Sequence, residues 1–461
     1  MSRIHIVGVG GPGMSAIATV LAQMGNSVSG SDLLETEMTR RLRGVGVSIN
    51  IGHDAGAVLG CDLVAASSAV SADNIELVAA RENHIFVQTR GELLAGICAQ
   101  KNSVAVAGTH GKTTTASMLM VMMLDAGMRP SFIIGGDVAD VGCGARWDDG
   151  QTLVVEADES DGTHLLLPLQ ATILTNIDVD HLDRFADLSA IVESFDQYLG
   201  KVAGPKVLCG DDSNCAALAI KYGARTYGID SASDVIAAEI TFAFGGAEFD
   251  VLVRENFSGE HTKLGRVAVH QRGRHNVLNA LAAASMAMQL GIDFASITQS
   301  LARFGGVQRR FDYRGLQDGV TFVDDYAHLP TEIAAVLSGA RDGSDSWTRI
   351  VAVFQPNRYN RMAVMSQAYA DAFVLADVVV ITDIYSSGTT KIEGVTGKLV
   401  VDAIATAHQQ ADVQWLATRE QLVESLAAQL RDGDLCLSMG CGDIATLPDE
   451  VMMRRAGASR S

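Results

Sequence analysis

The chain has 461 residues, 48% hydrophobic and 19% charged, with a formal charge of −19. That length suits two to four domains, and so acidic a balance disfavours nucleic acid and anionic membranes as partners. Anionic metabolites stay open, because loops and Mg²⁺ set the field at a site.

Three blocks each open with a strand that runs into a loop and then a helix. In the first, residues 4–9 read as a strand leading into Gly8-Val9-Gly10-Gly11-Pro12-Gly13. A helix over residues 14–24 and a second strand near 26–30, ending at Asp32, complete a dinucleotide-type fingerprint. The glycines let a diphosphate approach the backbone and the helix N-terminus, and Asp32 is placed to accept from a ribose. Residues 62–68 give a further strand, with Ser67 and Ser68 at its end facing the same ligand. The bland alternative is a tight turn with no ligand; NAD and UDP both satisfy the functional one.

The second block opens on Val104-Ala105-Val106-Ala107 and runs into Gly108-Thr109-His110-Gly111-Lys112-Thr113-Thr114. The loop is shorter than G-x-x-x-x-G-K-[ST], since Val106 stands where the first glycine belongs. Its mechanics survive: amides cradle phosphates, Lys112 reaches the β/γ oxygens and a threonine hydroxyl meets Mg²⁺. The methionines at 118–123 read as core packing, in a helix too short to span a bilayer. Next, a strand at 152–155 ends in Glu156-Ala157-Asp158-Glu159-Ser160-Asp161. A carboxylate there commonly serves Mg²⁺, and Glu156 lies closest to the strand end. A strand at 171–175 then runs into Thr175-Asn176-Ile177-Asp178-Val179-Asp180-His181-Leu182-Asp183, where His181 is an acceptable though unusual Mg²⁺ ligand. Residues 267–271, preceded by a polar stretch at 256–265, read as a hairpin region, so the second sheet is expected to be mixed.

The third block opens with a strand at 321–325, followed by Pro330-Thr331-Glu332 at a helix start. Strands at 350–354, 378–382 and 435–438 continue an α/β alternation. Seven scattered cysteines include no Cys-x-x-Cys pair, which fits a reducing cytosol and small core residues. The run at 4–9 is too short for a signal peptide. A cytoplasmic chain is expected.

These motifs, with Gly273-Arg274-His275-Asn276-Val277-Leu278-Asn279-Ala280, Arg309-Arg310-Phe311-Asp312, Asp324-Asp325-Tyr326 and Phe354-Gln355-Pro356-Asn357-Arg358-Tyr359, resemble the Mur ligases of peptidoglycan synthesis over nearly the whole chain. The resemblance implies an α/β protein of three domains. A Rossmann-like domain over 1–98 holds the UDP of the substrate. A central P-loop ATPase-like domain with a mixed sheet, over 99–308, binds ATP. A Rossmann-like domain over 309–461 brings in the amino acid. The implied reaction joins L-alanine to the carboxylate of UDP-N-acetylmuramate through an acyl phosphate, with ATP and Mg²⁺, in a monomer or homodimer.

The implied catalytic residues are Lys112, Glu156 and His181, with Thr113, Glu156 and His181 on the metal. Gly108, Thr109, His110, Gly111, Thr113 and Thr114 cradle the ATP phosphates. His275, Asn276 and Asn279 suit the adenine edge, the two asparagines sharing a helix face; a helix start capping itself is the alternative. Arg310 and Asp324 complete the ATP contacts, Asp324 at the ribose. The UDP-sugar falls to Gly11, Gly13, Met14, Ser15, Asp32 and Ser67, with Ser160, Thr175 and Asn176 beside it. His328, Arg358 and Arg361 meet the amino acid or phosphates.

Phe195 stands fourteen residues after His181, where ligases of the later steps carry a carbamylated lysine; the phenylalanine is similar to the alanine-adding type, which argues against the later-step ligases. Two departures stand out: Leu329 and Asn357 occupy positions where the family has histidines. Rival functions are a murein tripeptide recycling ligase, a folate polyglutamylating type, a non-catalytic nucleotide-binding homologue and an NAD oxidoreductase.

Overall fold

The computed structural model describes residues 1–67, 69–181, 184–243, 245–254, 259–342 and 347–458; Ser68, Leu182 and Asp183 lie outside them. Three sheets organise the chain. The first contains β1 (Arg3–Val7), β2 (Ser27–Asp32), β3 (Ser48–Ile51), β4 (Leu63–Ala66) and β5 (Phe86–Thr89) in the order β3-β2-β1-β4-β5. All of its pairings are parallel. The order reverses beside β1, which opens a crevice at the carboxyl ends of β1 and β4, where ligands of such sheets bind.

The second sheet has ten strands: β6 (Asn102–Ala107), β7 (Ser131–Val138), β8 (Cys143–Arg146), β9 (Thr152–Glu156), β10 (Ala171–Leu174), β11 (Lys206–Cys209), β12 (Arg225–Gly228), β13 (Val235–Ala243), β14 (Gly246–Val253) and β15 (Thr262–Val269). Their order is β15-β14-β13-β12-β11-β10-β6-β9-β7-β8. β6 is buried from Ser103 to Ala107, as a strand covered on both faces must be. The helix Lys112–Asp125 that follows it is buried from Thr113 to Met123, so its methionines are core residues. The sheet is mixed because β7 and β8 pair antiparallel, while β6, β9 and β10 pair parallel. One expectation shifts: β15 already begins at Thr262, inside the stretch 256–265 read from sequence as the lead-in to a strand.

The third sheet contains β16 (Asp312–Gln317), β17 (Val320–Asp325), β18 (Arg349–Phe354), β19 (Val378–Ile381), β20 (Val413–Trp415) and β21 (Asp434–Met439), ordered β16-β17-β21-β18-β19-β20. It is parallel except for the β16/β17 hairpin, an edge strand the sequence pattern did not signal. One cluster built on Ile333, Phe354 and Tyr369 and another on Phe322, Leu422 and Leu426 form its core.

By packing, the described chain divides into two compact units. The first is 1–238, 250–267 and 278–305; the second is 239–249, 268–277 and 306–461. No helix among the described residues is long and apolar enough to cross a membrane.

Candidate nucleotide and ligation site

In the first unit, β6 ends at Ala107 and the chain turns through Gly108 to Gly111 into the helix beginning at Lys112. Both glycines have left-handed backbone, φ +118° and +81°. A Cβ at Gly108 would stand 2.3 Å from Thr175 Oγ1, and one at Gly111 would stand 2.4 Å from Asn279 Oδ1. Only glycine satisfies both conditions.

The loop is braced from the end of β10. Thr175 Oγ1 donates to the His110 carbonyl (2.6 Å), and Asn176 Oδ1 accepts from the His110 amide (2.9 Å). The Thr109 amide donates to the Asn176 carbonyl (3.1 Å), and the Asp178 amide donates to Thr109 Oγ1 (2.9 Å). His110 Nε2 lies 3.1 Å from Asp178 Oδ2. Asn279, on the helix Arg274–Gln289, accepts from Thr115 Oγ1 (3.2 Å). Thr175, Asn176 and Asn279 thus hold the phosphate loop itself in shape.

Lys112 Nζ donates to the Gly108 carbonyl and lies 3.1 and 3.2 Å from the two oxygens of Glu159, a carboxylate almost wholly buried. Burial pulls this ammonium down, but Glu159, Asp158 and Glu156 outweigh it and hold the pKa above the usual lysine value. Burial likewise pushes the Asp158 carboxyl up, yet Lys112 and the Ser160 amide hold it below the usual range. Thr113 Oγ1 donates to Glu156 Oε2 (3.1 Å), whose other oxygen accepts from the Gly135 amide (2.6 Å). Thr114 is buried behind them. Ser160 caps its own loop through Asp158 Oδ1 (2.9 Å).

His181 has φ +52°, with Nε2 3.2 Å from Asp180 Oδ2. Among the described residues no group of three or more His, Cys, Asp or Glu forms a metal-binding set. Thr113 and Glu156 are nonetheless adjacent hard oxygen donors, the type that suits Mg²⁺. Phe195 is fully buried, tilted against His164 at 5.6 Å and edge-on to Tyr198 at 6.3 Å. Burial, with Arg184 nearby, holds His164 down at about 4.

In the first sheet, Gly8 (φ +75°) and Val9 both donate their amides to the Ser31 carbonyl, and the Gly10 amide donates to Asp32 Oδ2 (2.8 Å). A Cβ at Gly10 would meet that same oxygen at 2.8 Å. Gly11 and Gly13 open the helix Pro12–Gln23. Met14 is buried, and Ser15 donates to the Pro12 carbonyl (2.9 Å), so these two side chains build the turn. Ser67 packs under Gly8. Beneath lies Glu76, fully buried, accepting from Ser31 Oγ and the Asp54 amide (3.1 Å), with His53 Nδ1 at 3.1 Å and His5 Nε2 at 3.6 Å. Burial pushes the Glu76 carboxyl up, but His5, Ser31 and the Asp54 amide outweigh it and hold the pKa at about 2.

Sequence reasoning missed Glu76 and Arg90. Arg90 donates through Nε and Nη2 to Asp161 Oδ2 (2.9 and 2.7 Å). A buried acid at a helix start and an arginine just after a strand carry no local signal of their partners.

In the second unit, Asp324 is fully buried, engaged by Arg309 Nε (2.9 Å) and Ser438 Oγ (3.1 Å). Asp325 accepts from the Phe311 and Ala327 amides, and burial pushes it up to about 6. Arg310 and Arg309 both stack over Tyr326. Burial and Arg310 hold His275 down at about 4, a neutral imidazole at pH 7. Asn276 Nδ2 donates to the Arg272 carbonyl (2.8 Å), tying the helix start to the chain just before it. His328 donates its amide to Glu332, and its carbonyl accepts from Tyr369 (2.8 Å). Arg358 precedes the helix Tyr359–Met365 at φ +64°, while Arg361 lies inside it, buried, donating to Asn357 Oδ1 (2.9 Å). Leu329 is buried at the head of the helix Pro330–Arg341.

Two glycine loops, each at the carboxyl end of a parallel strand, with a lysine held among carboxylates, are the arrangement expected of a nucleotide-dependent transfer site. The chain matches the profiles of the Mur ligase family, catalytic domain, over residues 3–102, the Mur ligase middle domain over 106–287, and the Mur ligase glutamate ligase domain over 309–442. It belongs to the Mur ligase family, a family of ATP-dependent ligases. It is 41% identical to the UDP-N-acetylmuramate–L-alanine ligase of Geobacter sp. strain M21, covering 100% of this chain and 99% of the relative. Among solved structures it is similar to the UDP-N-acetylmuramate–alanine ligase of Thermotoga maritima, with a TM-score of 0.84 and 28% identity over 99% of this chain and 100% of that one. The fold is shared with a murein peptide ligase of Psychrobacter arcticus, TM-score 0.71 and 23% identity, covering 98% of each chain.

Proposed function

We propose that this Mur ligase joins L-alanine to the carboxylate of UDP-N-acetylmuramate, releasing ADP and phosphate, in cytoplasmic synthesis of the peptidoglycan precursor. The observation that carries the reading is the 41% identity to an enzyme of that name along its whole length, together with a phosphate loop whose lysine is charged and held in place. In this reading residues 1–98 bind the UDP-sugar, 99–308 bind ATP and 309–461 bring in alanine.

A carboxylate and an amine do not condense usefully in water. The sugar carboxylate attacks the γ-phosphorus of ATP, ADP leaves, and an acyl phosphate results. The alanine amine attacks the acyl carbon and phosphate departs. Lys112 neutralises charge on the transferring phosphoryl group. The backbone amides from Gly108 to Thr114 orient the phosphates. Glu156 and Thr113, with His181, would hold Mg²⁺, which would supply charge stabilisation on the phosphoryl oxygens. His275, Asn276, Asn279, Arg310 and Asp324 serve ATP. Gly11, Gly13, Met14, Ser15, Asp32, Ser67 and Ser160 serve the UDP-sugar side, several by building its turn, whereas Thr175 and Asn176, expected there from the sequence, brace the Gly108–Gly111 loop instead. His328, Arg358 and Arg361 serve the amino acid.

The test is phosphate release with an amino-acid panel. Release is expected only with ATP, Mg²⁺, UDP-N-acetylmuramate and L-alanine together. Release without the UDP-sugar sinks the proposal, and preference for a tripeptide over alanine shifts it to the recycling reaction.

A further inference from the structure

We infer that Arg90 is a positioning residue that ties the substrate-side glycine loop to the acidic loop holding Lys112; the inference rests on the UDP-sugar reading above. Arg90 opens the helix Arg90–Cys98, directly after β5, and the capping box between Thr89 and Glu92 fixes the direction in which the chain leaves the strand. The guanidinium faces two ways. One edge, Nε and Nη2, grips Asp161 Oδ2, and Nη2 also reaches Thr163 Oγ1 (3.3 Å) and lies 3.6 Å from Asp158 Oδ2. The other side lies over the start of the helix Pro12–Gln23: Nη1 and Cδ stand 3.3 and 3.5 Å from where a Cβ at Gly13 would be. Nη1 makes no hydrogen bond among the described residues.

The acidic loop is tied across itself by its own hydrogen bonds. The Gly162 amide donates to the Glu159 carbonyl (3.2 Å), the Thr163 amide to Asp161 Oδ1 (3.0 Å) and the His164 amide to the Asp158 carbonyl (3.1 Å). Glu159 in turn holds Lys112. The neighbouring Gly91 is pressed onto the same turn, since a Cβ there would meet Thr163 Oγ1 and Leu166 Cδ1, each at 2.9 Å. Arg90 is therefore the charged side chain through which the position of the Gly11–Gly13 turn reaches the lysine of the phosphate loop. An isolated ion pair on a surface would not need a fork on one loop and a stacked stem on another.

The experiment compares Arg90→Met, Arg90→Lys, Asp161→Asn and the Arg90→Met/Asp161→Asn double variant with the intact enzyme. Arg90→Met is expected to raise KM for UDP-N-acetylmuramate and lower kcat, each roughly tenfold, as loss of charge-assisted hydrogen bonds does. KM for L-alanine should stay unchanged. Arg90→Lys should recover part of kcat. Asp161→Asn should add little in the Arg90→Met background, because the two act through one contact. Unchanged constants in a folded Arg90→Met protein, or losses that multiply in the double variant, overturn the inference. If Arg90→Met does not fold, Arg90→Lys and Asp161→Asn decide: wild-type constants in both overturn it. Should the unaltered enzyme release no phosphate with this UDP-sugar and alanine, the functional reading fails instead.

Discussion

Lys112 and Glu159 face each other beside the Gly108–Gly111 turn, Nζ to carboxylate at 3.1 and 3.2 Å. Glu159 is three residues beyond the strand-end acid Glu156, and the loop between them folds back so that both carboxylates approach the head of one helix. The pair keeps the lysine charged and aimed where the transferring phosphoryl group is expected.

Lys112→Ala should lower the rate of phosphate release about a thousandfold, the scale for losing one preorganised charge at a reacting group. UDP-sugar binding, measured by calorimetry without ATP, should stay within about twofold, because the hydrogen bonds of the Lys112 ammonium go to Gly108, Thr109 and Glu159, none of them in the first sheet. Loss of both together would point to misfolding and overturn this separation of roles.

Gly111→Ala should weaken ATP binding and lower the melting temperature. The added methyl group meets a left-handed backbone at φ +81° and stands 2.4 Å from Asn279 Oδ1. The backbone part alone costs about 1–2 kcal/mol, and Asn279 must release Thr115. A variant as stable as the parent, with unchanged nucleotide affinity, contradicts this geometry.

Glu156→Gln should raise the Mg²⁺ concentration needed for half-maximal activity by roughly tenfold or more, since a neutral amide replaces the anionic donor beside Thr113 Oγ1. The check is an activity titration with Mg²⁺ at saturating ATP. An unchanged midpoint would remove Glu156 from the metal site.

Glu76→Gln should flatten the acid side of the stability curve. The folded pKa of Glu76, about 2, lies below the ordinary value of 4.5. Its contribution is therefore present above pH 4.5 and is lost as pH falls toward 2. That shift corresponds to about 3 kcal/mol at neutral pH. Melting temperatures measured from pH 7 down to 2.5 should fall more steeply below pH 4.5 for the parent than for the variant. Parallel curves would show that Glu76 is not the group responsible.

Much of this was legible in the chain itself. The strand–loop–helix openings at Gly8 and Gly108 follow from local rules: buried apolar runs make parallel strands, and glycine is demanded where φ is positive. The hairpin strand β16 was not legible, because Asp312–Gln317 has little apolar alternation and is held as a strand by its pairing with β17. The asparagines of the helix Arg274–Gln289 show a similar limit. Their spacing placed them on one helix face, yet Asn279 accepts from Thr115 beside the Gly108–Gly111 turn while Asn276 donates to the Arg272 carbonyl just before its own helix.

The sequence by itself determined the α/β class, the two strand–glycine loop–helix openings and the family resemblance, since each depends on residues close together along the chain. Tertiary structure alone decided which distant charges meet. Lys112 finds Glu159 across 47 positions and Arg90 finds Asp161 across 71. The physical reason is that burying a charge requires a partner, and which partner arrives is settled by how strands and loops pack, not by spacing along the chain.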